Sequence, residues 1–353
     1  MAEPIEYTPE QLLSEVAYDE PLVAGDVRCH GGFVDGRYVS PRSQKRGPAI
    51  LAWQERLRDE GGGLIHFSRD LMPPHYPSVE QARLLLQEGI SAPIVRSLTV
   101  ISIVEGFGAI IRDAPVPDWS EALVEDVGGT ALAHLGSGLF EAHARDEAGH
   151  RDQGGHKQMW EAARDLALDK PEIPGDVLLR MMSGGGPRPR REPLFPNLAP
   201  RVEELIAMLT SIFVIEIFAE NVFGWGEELL GDPEVSCEPE AARAMVSYIR
   251  SDERPHVEYL RTALSELWHR TLRTRDGAAI PGREVVGGLL RRQLRGVASE
   301  RPRQQREQLQ HQLHEEIQQG GGRTGDLERR FEALDPGIAF PTLAEERIEI
   351  SVA

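Results

Sequence analysis

Cysteine is nearly absent from this chain. Its 353 residues include two, Cys29 and Cys237, far apart and in no Cys-x-x-Cys pair. That excludes a disulfide scaffold and a cysteine-rich zinc or iron–sulfur site. Positive charge is also scarce: 39 Lys and Arg against 57 Asp and Glu give a formal charge of −18. An acidic surface repels phosphates, so no nucleic-acid partner is expected. No uninterrupted apolar run approaches the ~18–20 residues of a membrane span. The opening MAEPIEYTPEQLLSEV lacks the basic and apolar regions of a signal peptide. The expectation is a cytoplasmic chain with no membrane partner. Walker loops, GxGxxG after a strand, GxSxG and HExxH are missing as well.

What remains is a globular composition, 40% apolar and 27% charged, able to bury a core. Residues 1–90 read as a mixed, irregular cover segment punctuated by glycine. Four long helical patterns follow, over about Ala92–Arg112, Gly129–Leu168 with a break at Gly154-Gly155, Pro200–Leu230 and Glu238–Leu272. A Gly/Pro/Arg loop, Met182–Pro193, separates the pairs. The first and third helices are apolar around most of their circumference, as central helices of a bundle are. Residues 273–353 read as a helical extension and tail. The fold class expected is therefore all-α, with a four-helix unit over residues 91–272.

The second and fourth helices each carry Asp-Glu-x-x-His: Asp146-Glu147-Ala148-Gly149-His150 and Asp252-Glu253-Arg254-Pro255-His256. Residues i and i+3 lie on one side of a helix, one turn apart, so one carboxylate and one imidazole can reach the same metal. The apolar first and third helices each hold acids in mid-run, Glu105 in the first and Glu216 and Glu220 in the third. A charged Glu there costs several kcal/mol unless it is paired or binds a metal. Pairing to arginine in the core is the plain alternative.

Glu, Glu-x-x-His, Glu, Glu-x-x-His in this order resembles the ferritin-like di-iron carboxylate superfamily. The resemblance covers about residues 92–272 and rests on ligand pattern and helix order. It implies a ferritin-like four-helix bundle with N- and C-terminal extensions. It implies metal ligands at Glu105, Glu147, His150, Glu220, Glu253 and His256. The spacing of 33 residues from position 220 to position 253 favours Glu220 over Glu216, which stays as an alternative ligand or a nearby acid. His143 shares a face with Glu147 and is either a further ligand or a histidine bonded to a ligand carboxylate. A third imidazole beside the metals resembles the di-iron N-oxygenases, although theirs lies on the last helix. His134 and His156 fall off that face. In such folds Asp146 and Asp252 would accept the outer N–H of a ligand histidine from the other half. Pro255, which breaks a backbone bond in mid-helix, departs from the pattern.

Mixed N/O ligation suits two irons, or one iron and one manganese, better than zinc. The expected function is a non-haem oxygenase or oxidase. It would use O2 to oxidise a small organic substrate by hydroxylation, N-oxygenation or desaturation, with electrons from a separate donor. Gly106 and Gly108 near Glu105 could give close helix packing or room for that substrate. A homodimer is compatible with the class. A ferroxidase or iron-handling protein, and a non-enzymatic helical interaction protein, remain as alternatives.

Overall fold

Proline in first turns and serine or threonine caps set where the helices begin. In the computed structural model, Ser78 accepts from the backbone of Gln81 and Gln81 reaches back, closing a capping box ahead of the helix Val79–Gln87. Proline opens the first turn of the helices that begin at Ala92, Pro200 and Pro239, where its missing N–H breaks no bond. The structure describes residues 5–173, 175, 178, 192–319, 324–337 and 349–353. The loop expected over 182–193 lies outside the described residues as far as 191.

The described chain is mostly helical. After a single helical turn at Pro9–Leu12 comes a three-stranded antiparallel sheet, β1 (Glu20–Ala24), β2 (Val27–Val34) and β3 (Arg37–Val39), in that order. The helices follow as α1 (Ser43–Asp59), α2 (Val79–Gln87), α3 (Ala92–Gly108), α4 (Phe140–Ala148), α5 (His156–Ala167), α6 (Pro200–Leu230), α7 (Pro239–Asp252), α8 (Arg254–Trp268), α9 (Gly282–Arg295), α10 (Arg301–Gln319) and α11 (Thr324–Ala333). Thr271–Arg273 pairs with Ala279–Pro281 as two short strands, and Ile65–His66 pairs with Ser351–Val352.

The third expected helix is continuous over the range read from the sequence. The second is broken twice. Ser137 and Gly138 leave helical backbone, and the chain then leaves the helix at Gly149 and restarts at His156. Gly149 sits at φ +82°, and a Cβ there would run into the Gln153 carbonyl, so only glycine suits the exit. The fourth keeps its direction through Pro255. Glu253 stays in the right-handed helical region and still receives Val257 N at 3.1 Å, so the helix kinks without stopping. It ends at Trp268, short of the expected Leu272, because Thr271–Arg273 enters a strand.

Two apolar cores lie along these helices. One joins Phe140 and Ala144 of α4, Leu209 and Phe213 of α6, and Leu260 and Leu264 of α8. The other joins Leu98 of α3, Trp160 of α5, Phe223 and Leu229 of α6, and Met245 and Ile249 of α7. The long helix α6 passes from one core to the other between Ile217 and Val222. The flanking segments are built into the same cores: Leu12, Trp53 and Ile65 from the N-terminal part and Val285 and Leu289 from α9 belong to the first.

One helical stretch among the described residues, Ala92–Asp113, is long and apolar enough to cross a membrane by length and composition. The sequence reading missed it because Arg96 and Glu105 interrupt the run. Its outer face exposes Val100, Val104, Phe107 and Ile110.

Candidate metal centre

Seven side chains meet at the seam between the two cores: Glu105 on α3, His143 and Glu147 on α4, His156 opening α5, Glu216 on α6, Glu253 at the α7–α8 junction and His256 on α8. The three imidazoles are fully buried. Glu147, Glu253 and Glu216 are buried too, and the Glu105 side chain keeps 12% of its surface exposed. Two overlapping groups each bring their donor atoms within 4.8 Å of one another. One is His143, Glu147, Glu216 and His256, and the other is Glu147, His156, Glu253 and His256.

Glu147 and His256 belong to both groups, and Glu253 joins the two imidazoles of the second. Its Oε2 lies 2.7 Å from His256 Nδ1, and its Oε1 lies 2.8 Å from His156 Nδ1. Glu147 Oε1 lies 3.2, 3.4 and 3.7 Å from His256 Nδ1, His156 Nδ1 and His143 Nε2. Glu216 Oε1 is 3.4 Å from His143 Nε2, and Glu105 Oε2 is 3.8 Å from His156 Nδ1. Gly108 matters for Glu147: a Cβ there would meet the Glu147 Cγ at 2.6 Å. The expected room for substrate at this glycine is filled by a carboxylate of the cluster. Gly106 packs on Lys157.

An outer ring fixes the imidazoles. The His256 Nε2–H donates to Asp146 Oδ2 at 2.9 Å, which leaves Nδ1 facing inward. Asp146 also accepts from Arg46 Nη1 at 2.6 Å and from Arg42 Nε at 2.7 Å. His143 Nδ1 is held by Tyr259 Oη at 3.1 Å, so its Nε2 points at Glu216 and Glu147. Asp252 Oδ2 lies 3.7 Å from His156 Nε2, accepts from Tyr38 Oη at 2.7 Å and lies 3.1 Å from His30 Nε2. Each aspartate thus faces a histidine from the other half of the site.

Charge is crowded here, and protons offset it. Burial, with Glu147 and Glu253 close by, pushes the carboxyls of Glu105 and Glu216 well above the usual range. Burial alone would neutralise His156 and His256. The neighbouring carboxylates, Glu253 above all, outweigh it and raise both imidazoles well above 6.5. Burial, with His256 beside it, keeps His143 neutral at about 3. His143 Nε2 and His156 Nε2 make no hydrogen bond, and His156 Nδ1 meets Glu253 Oε1 at 2.8 Å as a charge contact without hydrogen-bond alignment. Buried polar atoms left in this state call for a ligand, and N/O donors around one small space suit a divalent cation. The residues present could therefore hold a metal ion.

Of the sequence-expected set, Glu105, Glu147, Glu253 and His256 come together, with His143 and Glu216 among them. Two do not. His150 lies in the 149–155 loop, where its backbone pairs with Gln153. Glu220 forms an ion pair with Arg250 at the half-exposed edge of α6. A glutamate four residues away from another shares its side of a helix only approximately, and the turn of α6 places Glu216 inward. His156, read as off the face, is inside the cluster because helix phase does not carry across a loop. The Gly154-Gly155 pair was the signal for that break. Nothing in the sequence pointed to His30, Tyr38, Arg42 or Arg46, which reach the site from the N-terminal segment. His134 stays outside the cluster, bonded to Tyr7 N and Thr130 O.

No protein-family model, curated protein or solved structure matches this chain.

Proposed function

We propose that the chain is a ferritin-like di-metal carboxylate protein that uses O2 to oxidise a small organic molecule. The observation that carries this reading is Glu253, which presents one carboxylate oxygen to His156 and the other to His256. Glu147 reaches the same two imidazoles from the opposite helix pair. Four glutamates and three histidines from four helices around one small space would hold a metal pair. On this reading α3, α4 with α5, α6, and α7 with α8 are the four helices of the bundle.

Bound there, two irons, or one iron and one manganese, would supply the electrons that reduce O2. The chain's own residues do the rest. Glu105, Glu147, Glu216, Glu253, His143, His156 and His256 hold the metals. Asp146 and Asp252 orient the imidazoles. The buried Trp160, Phe213, Phe223 and Leu260, on the same helices, would help keep water out. Glu105 is the member of the cluster with the most exposed side chain, so substrate and O2 would enter on the α3 side. The electron donor, a dimeric state and a cytoplasmic location belong to the same proposal.

Metal content by plasma mass spectrometry, on protein grown with iron and manganese, tests the reading. About two metals per chain are expected. No stoichiometric metal after reconstitution with Fe(II) overturns it. O2 uptake that depends on an organic substrate favours the oxygenase, and uptake that follows added Fe(II) alone favours the ferroxidase.

A further inference from the structure

The two metal positions are built unequally. Around the first stand His143 Nε2 and Glu216, with Glu147 and His256 Nδ1 common to both positions. Around the second stand His156 Nδ1, Glu253 and Glu105, with the same two shared side chains. Each position is therefore offered two imidazoles, and the difference lies in how the unshared one is held. His143 is set in advance. Tyr259 holds His143 Nδ1, and the ring stacks on His256 at 4.0 Å between centroids and 12° between planes. His256 in turn is tied to Asp146, which two guanidiniums hold.

The second position is held less firmly. His156 Nε2 lies 3.7 Å from Asp252, too far for a hydrogen bond, so no outer partner holds this ring as Tyr259 holds His143. His156 opens a helix after a loop, while His256 lies within the kinked but continuous α7–α8 path. Glu105 is the member of the cluster with the most exposed side chain. A third group, His30, His156 and Asp252, could gather around a cation. The Arg42 guanidinium 3.3 Å from His30 Nδ1 opposes one there.

We propose that this site loads in order. The His143/His256/Glu216 position would take the first metal tightly. The His156/Glu105 position would take the second more weakly. A donor already oriented loses little freedom on binding and so holds its metal more tightly. This inference rests on the di-metal reading of the same cluster.

The test is a titration of the metal-free full-length protein with Co(II), followed by calorimetry and visible absorbance. Two phases of one equivalent each are expected, separated by at least tenfold in affinity. His143→Gln, which keeps most of the side-chain volume, removes that separation by weakening the first phase. Tyr259→Phe weakens the same phase by about tenfold, as loss of an outer partner does. His156→Ala removes the second phase and leaves the first. Circular dichroism checks that each variant is folded. Two equal phases in the parent protein, or a tight phase untouched by both His143→Gln and Tyr259→Phe, would overturn ordered loading while leaving the di-metal reading intact. No Co(II) uptake by the parent would overturn both.

Discussion

The two helix pairs around the site solve one problem in different ways. In the second pair, Pro255 falls between Glu253 and His256, yet the chain stays helical and the two side chains stay one turn apart. In the first pair, Gly149 leaves the helix two residues after Glu147, and the histidine that completes the set arrives at position 156. Proline removes one donor and bends a helix, so phase is largely kept. A glycine at φ +82° reverses the chain's local hand, and phase is lost. A motif read by spacing survives the first disturbance and fails at the second.

The largest effect that would break this comparison is expected from Glu147→Ala. Glu147 serves both positions, so the variant should lose both metals while circular dichroism stays near that of the parent. Retention of two metals would remove Glu147 from the ligand set. The sharper contrast is His156→Ala against His150→Ala. The first should lose about one metal per chain and the second none, by plasma mass spectrometry. The reverse result would restore the unbroken Glu-x-x-His.

Gly108→Ala should act at a distance of one helix. The new methyl would press the Glu147 side chain, so metal content should fall with little change in helicity. Gly106→Ala meets only the flexible Lys157 stem and should be milder. Equal metal loss in the two would show that the close approach of Gly108 to Glu147 is unimportant.

The smallest effect concerns Glu266, outside the cluster. It accepts the backbone N–H of Ala131 and Leu132 at 3.0 Å each, at the start of the broken second helix. Burial raises its carboxyl from 4.5 to about 7, against the pull of Arg270. The folded chain therefore holds a proton there that the unfolded chain releases near pH 4.5. The stabilisation is full at low pH and is lost as pH rises toward 7. Glu266→Gln should flatten denaturant-measured stability between those values. An unchanged slope would contradict the assignment.

The helical class and the third helix were legible in the sequence because long apolar runs with proline starts are local signals. The four residues Glu105, Glu147, Glu253 and His256 were legible because they lie on helices whose phase holds to the site. Glu216 against Glu220 was a matter of one helical turn, and spacing chose the one that faces Arg250. His156 required knowing that a loop begins at Gly149. The arginines that tie Asp146, 104 and 100 positions away in sequence, had no local signature. They are set by where α1 and β3 dock.

The loop before His156 is itself fastened to the sheet. His30 N donates to Gly154 O, and Gly154 N donates to Arg28 O, each at 2.8 Å. Those two bonds act as a latch on the strand β2. If they open, the loop and the first residue of α5 can swing away without any helix unwinding, because only a helix end frays. Metal at the His156 position would then exchange on the timescale of loop release, while metal beside His143 and His256 would wait for a deeper opening. The N-terminal sheet would thus set how long the outer metal stays bound.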